Sequence, residues 1–128
     1  MLAATMMDHV REKVVVITGA ASGFGFELAG LAGRRGARIV AVDLPGPALS
    51  RVESTLGAEG IEVLAVSANV TDRARMHAMA AAALARFGAI DVLVNNAGTM
   101  PLAFFADHAR AAEAWDRCID VNLRGVLN

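Results

Sequence analysis

Four short runs, apolar at almost every position, limit this chain more than any other feature. They are Val14-Val15-Val16-Ile17, closed by Thr18-Gly19; Arg38 to Val42, ending at Asp43; Ile61 to Val66; and Ile90 to Val94. Each is too short for a helix, and none alternates apolar with polar. Such runs read as strands covered on both faces, as in a parallel sheet. The segments between them carry a 3.6-residue period. Phe24, Leu28 and Leu31 mark one helix face, and Met76, Met79, Ala80, Ala83, Leu84 and Phe87 mark another. The spacing of the two methionines assigns them to core packing rather than to a ligand pocket. Thr71 is the expected N-cap of that second helix and Gly88 its stop. Pro45-Gly46-Pro47 is a turn opening a helix that ends near Gly57. Strand and helix thus alternate four times. Right-handed crossovers turn that order into an α/β fold with a doubly wound sheet, strand order 3-2-1-4.

The 128 residues suit one domain, with residues 1–12 as an N-terminal extension before the first strand. A formal net charge of −1 gives no electrostatic footprint for nucleic acid. No apolar run reaches the roughly 18 residues of a membrane span. The opening MLAATMMDHVREK lacks the pattern of a signal peptide. Cys118 is the lone cysteine, so an internal disulfide is excluded and a reducing, cytoplasmic setting is expected. His9, His77 and His108 stand far apart without a cysteine partner, and no metal site is expected.

The first strand runs directly into Thr18-Gly19-Ala20-Ala21-Ser22-Gly23-Phe24-Gly25. Glycine at a strand end permits a tight turn. Glycines at a helix start let backbone amides approach a pyrophosphate, where the helix dipole favours negative charge. Glycine trios also serve plain turns and close helix packing, so the placement between strand and helix carries the signal. Asp43 closes the second strand, where a carboxylate can accept from an adenosine ribose and repel a 2′-phosphate. It can equally start the turn before Pro45. Neither Ser22 nor Leu44 supplies a cation for a 2′-phosphate, and Arg38 lies at the strand's other end, which favours NAD over NADP.

The glycine spacing is GxxxGxG. With Asn95-Asn96-Ala97-Gly98 after the fourth strand and Asn122 in VNLRG, the sequence resembles the short-chain dehydrogenase/reductase family from about Val14 onward. The resemblance implies a Rossmann-like domain binding a nicotinamide dinucleotide and hydride transfer between that cofactor and an alcohol or carbonyl carbon. It assigns Thr18, Gly19, Ser22, Gly23 and Gly25 to the cofactor site, with Gly19, Gly23 and Gly25 along the diphosphate and Phe24 at the cofactor's edge. Asp43 would bind the adenosine ribose. Asn69-Val70 stands where the family usually has Asp-Val beside the adenine. Asn95 would tie neighbouring strands together, while Ala97 and Gly98 would let backbone pass close to the ribose. On residues alone, NNAG is equally an ordinary turn, since Asn and Gly both favour turns.

The family's acid/base pair is a tyrosine followed four residues later by a lysine. This chain has no tyrosine, and its only lysine is Lys13, before the first strand. Asp107, His108 and Glu113 look like loop and helix-start residues, not substitutes. Members of the family also continue with further strands, so the fourth strand is expected to be an open apolar edge. The sequence therefore reads as a cofactor-binding portion, incomplete on its C-terminal side and without turnover of its own. A non-catalytic NAD-binding or oligomerising module is the alternative, and a methyltransferase-type Rossmann domain is disfavoured by NNAG and VNLRG. Homo-oligomerisation and a small alcohol or carbonyl substrate are implied for the parent architecture.

Trp115, Cys118, Ile119, Asn122, Leu123 and Val126 share one helical stripe, which is expected to be buried. Asn122 on that stripe is either a core asparagine satisfied by backbone or, by the resemblance, a catalytic-site residue holding a water in a proton relay. Gly125 beside it would allow the helix to bend. Cys118 reads as packing. The loop Thr99 to Phe105 either touches the pocket mouth or packs on its own sheet.

Overall fold

A computed structural model describes residues 9–128; the extension before His9, including most of the segment read for a leader, lies outside the described residues. Four parallel strands form one sheet in the order β3-β2-β1-β4: β1 Val14–Thr18, β2 Arg38–Asp43, β3 Val63–Ser67 and β4 Val92–Val94. The intervening helices are α1 Gly23–Arg34, α2 Pro47–Ala58 and α3 Arg73–Phe87. After β4 come a 3-10 turn at Phe105–Asp107, α4 His108–Ile119, a π-helical turn at Asp120–Arg124 and a last helical turn at Gly125–Leu127. The doubly wound, Rossmann-like architecture expected from the sequence is the one observed.

The two central strands sort their residues by the two-residue strand period. Val15, Ile17, Ile39 and Ala41 face α1 and α2, packing with Ala29, Ala32, Val52 and Leu56. Val14, Val16, Val40 and Val42 face α3, packing with Met76, Met79, Ala83 and Phe87. Burial of each large aliphatic side chain stabilises by about 1.5–3 kcal/mol. Both faces of β1 and β2 are therefore core, which is why their sequences show no polar alternation. β3 and β4 are only partly covered, and Leu93 in β4 is 51% exposed.

Helix α1 departs from expectation. Phe24 is 90% exposed and Leu31 is also exposed, while Gly25, Ala29 and Ala32 are buried. Leu28 of the expected face does pack against the core, beside Phe26, but the fully buried positions are the small ones, which let α1 lie close against the sheet. On α3 the expected stripe is the buried one, except that Leu84 is exposed. The cap of α3 is Asp72, whose carboxylate accepts from Arg75 N–H at 3.1 Å, not Thr71. Thr71 N–H instead donates to Asn69 Oδ1 at 3.0 Å, closing a local turn one residue before the cap. Gly88 ends the helix in the left-handed region, as expected.

The outer edge at β3 is guarded. Ala68 N–H donates to Asp43 O in β2, so alternation turns the Ala65 N–H away from the sheet. Glu53 of α2 accepts that outward N–H at 2.8 Å.

Candidate functional site

The strand ends that carry Thr18, Asp43 and Asn96 open on a cavity of about 890 Å³, within the range of ligand and cofactor pockets. The carboxyl ends of parallel strands at a reversal of strand order are where doubly wound sheets place their ligands. Here the order reverses between β1 and β4, and the cavity lies across that point.

Its floor is a locked junction. Thr18, 1% exposed, uses its hydroxyl as acceptor for Asn96 N–H at 3.1 Å and Ala97 N–H at 3.0 Å. Asn96 Nδ2 donates back to Thr18 O at 3.0 Å and Gly19 O at 3.2 Å. The side chain tying neighbouring strands is thus Asn96, not Asn95, which is exposed. The last pleat of β4 points Asn95 outward, and the chain must turn one residue further before an amide can reach β1. Gly19 adopts φ +69, and a Cβ there would sit 2.9 Å from Ala97 Cα. A Cβ on Gly25 would strike Gly19 O and lie 2.6 Å from Asn96 Nδ2. Gly25 therefore lets α1 begin directly beneath the turn, and its place is in the junction rather than on the cavity wall.

One wall is the start of α1. Ser22 stands at its N-cap position but makes no capping hydrogen bond through its side chain. The first N–H groups of a helix lack intrahelical partners, and these face a cavity lined by Gly19, Ser22 and Phe24. Gly23, at φ +54, has open space around it. The second wall holds Asp43, whose Oδ2 accepts Ala21 N–H at 2.8 Å and whose Oδ1 accepts Leu44 N–H at 2.7 Å. Asp43 therefore both begins the turn and joins β2 to the glycine loop. Each carboxylate oxygen keeps a further lone pair for a ligand hydroxyl.

The third wall comes from Asn69, Val70 and Thr71 after β3, and the fourth from Ala97, Gly98 and Thr99 after β4. Asn69 Oδ1 is already engaged by Thr71 N–H, so it offers a ligand one remaining lone pair. Sequence reasoning missed a fifth group, Glu113, Asp116, Arg117, Asp120 and Val121, which border the cavity from the C-terminal helical segment. Their three- and four-residue steps were the available signal, hidden by the more apolar stripe next to it.

Asn122 differs from its expected environment. It is exposed, as are Ile119, Leu123 and Val126 of the same stripe. Its amide is nonetheless fully engaged: Oδ1 accepts Thr99 N–H at 2.8 Å, and Nδ2 donates to Thr99 O at 2.8 Å. Cys118 reinforces this clamp by donating its thiol to Thr99 O at 3.3 Å. Asn122 is thus satisfied by backbone, but by that of a loop, and it is not a core residue. Gly125 itself stays helical, at φ -60 and ψ -26, and the departure from a regular α-helix is the π-helical turn at Asp120–Arg124 before it. A Cβ on Gly125 would sit 2.7 Å from Val70 Cγ2, so this glycine sets how closely the last turn approaches the β3 loop. Thr99 reaches the cavity, whereas Met100, Leu102, Phe104 and Phe105 are more than three-quarters exposed and do not pack on the sheet. Phe105 stacks between His108 and Trp115, with centroids 5.6 and 6.5 Å away.

Among the described residues no group of three His, Cys, Asp or Glu side chains could hold a metal ion, and no helix is long and apolar enough to cross a membrane.

Known proteins resemble this chain in fold and in sequence. A solved short chain dehydrogenase/reductase from Burkholderia phymatum, in complex with NAD, superposes with a TM-score of 0.87 at 39% identity, covering 92% of this chain and 41% of that one. An uncharacterized oxidoreductase of Staphylococcus saprophyticus is 37% identical over 121 residues, 94% of this chain and 48% of its own length. The 1-deoxy-11-beta-hydroxypentalenate dehydrogenase of Streptomyces avermitilis is 42% identical over 92 residues, 72% of this chain and 34% of its own length. The chain thus spans about half or less of these relatives. The family pattern described as short chain dehydrogenase matches residues 13–128, nearly everything from the first strand onward. With the glycine junction, the Asn96 lock and all four strands inside the matched residues, the chain belongs to the short chain dehydrogenase family.

Proposed function

We propose that this chain forms the NAD-binding portion of an oxidoreductase that moves hydride between a nicotinamide cofactor and an alcohol or carbonyl substrate. The observation that carries the reading is the uncapped start of α1 beside the Gly19–Gly25 junction, facing the cavity. A capping side chain would take one of those amides and stand in the place of an anion.

The residues fit a dinucleotide in parts. Gly19, Ser22, Gly23 and Phe24 would hold the diphosphate against backbone N–H groups, while Thr18 and Gly25 fix the loop from beneath. Asp43 would accept from the adenosine ribose with the lone pairs its own turn leaves over. Its charge, with no cation on Ser22 or Leu44, disfavours a 2′-phosphate and supports NAD over NADP. Asn69 and Val70 would flank the adenine, and Ala97 and Gly98 would leave room for the second ribose. The nicotinamide supplies a two-electron carrier when bound. Asn122, by orienting Thr99, is assigned to the substrate end of the site. Reducing conditions suit Cys118, and a cytoplasmic, self-associating parent enzyme is part of the same reading.

The 128 residues contain no tyrosine, and their single lysine, Lys13, pairs with Asp91 at 3.8 Å. The proposal therefore separates binding from turnover: this chain binds the cofactor as an incomplete Rossmann domain but does not reduce it. Calorimetric titration should show NAD binding at least 10-fold tighter than NADP, about 1.4 kcal/mol. Equal affinity would remove Asp43 as the selector, and no binding of either would end the reading. Clear NAD reduction with secondary alcohols by the pure chain would overturn the separation. Stable binding with no turnover under any condition would equally suit a binding module.

A further inference from the structure

The C-terminal helical segment presents two neighbouring faces to two different loops. Cys118 and Asn122 hold Thr99 after β4. Val121 packs with the cluster containing Val42 and Val70, and Gly125 abuts Val70. Asn128 Nδ2 donates to Val70 O at 2.9 Å, fixing the same loop from the segment's end. Arg117 lies one turn before Val121 on this second face and borders the cavity together with Asn69 and Val70.

Three acids, Glu113, Asp116 and Asp120, border the cavity with Arg117, and none forms an ion pair with it among the described residues. Asp120 forms its ion pair with Arg124 at 2.6 Å. Arg117 itself has no ion pair or side-chain hydrogen bond among the described residues. Holding an unpaired guanidinium at a cavity wall is informative, because Arg is planar, weakly hydrated and suited to lying over a flat π system. The anion-binding amides of α1 belong to a different wall, that of Ser22 and Phe24. The side nearest Arg117 is the one given to the adenine by the proposed function, on which this inference rests.

We propose that Arg117 is a specificity-determining residue that lies over the adenine ring of the bound dinucleotide and closes the adenine pocket from the helix side. The contact recognises the heteroaromatic ring, not the phosphates.

Titrations of the chain and its Arg117→Ala and Arg117→Lys variants with NAD, adenosine and inorganic pyrophosphate test it. Circular dichroism would check that the exposed substitutions leave the fold intact. Arg117→Ala should weaken NAD and adenosine alike, by about 3- to 10-fold, the scale of a partly exposed cation–π contact. Pyrophosphate binding should not change, and Lys should restore little, lacking the planar fork. Unchanged NAD affinity in Arg117→Ala would overturn this contact alone. Loss confined to NAD and pyrophosphate, restored by Lys, would make it a phosphate contact and overturn the ring assignment. Failure of the unaltered chain to bind NAD would overturn the proposed function itself.

Discussion

Two helices begin near the cavity, and they solve the same problem in opposite ways. Each leaves its first N–H groups without intrahelical acceptors. At α3 one of them is satisfied internally, with Asp72 accepting from Arg75 N–H. At α1 the residue in the same position, Ser22, makes no capping bond although serine is among the best capping residues. Both are helices of a dozen or more residues behind a parallel strand. What differs is that α1 starts on a glycine loop drawn tight against Asn96, with the cavity in front of it. The difference separates a helix start used for stability from one kept open for a ligand.

That contrast can be broken most severely at its base. Gly25→Val should cost about 1–3 kcal/mol of stability in chemical denaturation. NAD affinity should drop more than about 100-fold, since Gly19 O cannot move aside without losing Asn96. A variant that kept its NAD affinity would show that the junction does not set the first turn.

Converting α1 into a copy of α3 gives the next effect. Ser22→Asp supplies a carboxylate to the uncapped amides, where it should hold or raise stability by about 0.3–1 kcal/mol through the helix dipole. It should also weaken NAD binding at least 10-fold by occupying the anion's place. Thermal unfolding and titration would have to move in opposite directions; a parallel loss of both would refute the argument.

The reciprocal change is smaller. Asp72→Ala should lower stability by about 0.5–2 kcal/mol with NAD affinity within about twofold of the parent. The smallest effect belongs to α2, whose N-cap position is Gly46 with no side chain to contribute. Gly46→Asp should stabilise by a few tenths of a kcal/mol and leave binding alone. A measurable change in NAD affinity from either would mean that caps outside the cavity lining also shape it.

The sheet was legible because burial on both sides of β1 and β2 writes itself directly into the sequence as uninterrupted Val and Ile. The order of strands followed from the handedness of crossovers alone. The face of α1 was not legible from hydrophobicity, since close helix–sheet approach selects Gly25, Ala29 and Ala32 over Phe24 and Leu31. Thr71 and Asp72 are both good caps, and only the Asn69 turn decides between them. Asn95 and Asn96 pose a similar one-residue ambiguity, settled by where the last pleat of β4 points. Asn122 was identified from its motif, but its surroundings were misjudged. A 3.6-residue count assumes a regular helix, and the π-helical turn at Asp120–Arg124 breaks that count. Arg117 escaped notice because one arginine in a charged helix carries no motif.

The carboxylate of Glu53 on the Ala65 N–H has a consequence for symmetry. A parallel sheet with two open sides can add copies head to tail, the β4 of one against the β3 of the next, and such heterologous contacts do not close. With the Ala65 N–H taken by Glu53, the β3 edge offers an incoming strand one donor fewer. One side chain on α2 thereby works against open-ended strand addition at this edge.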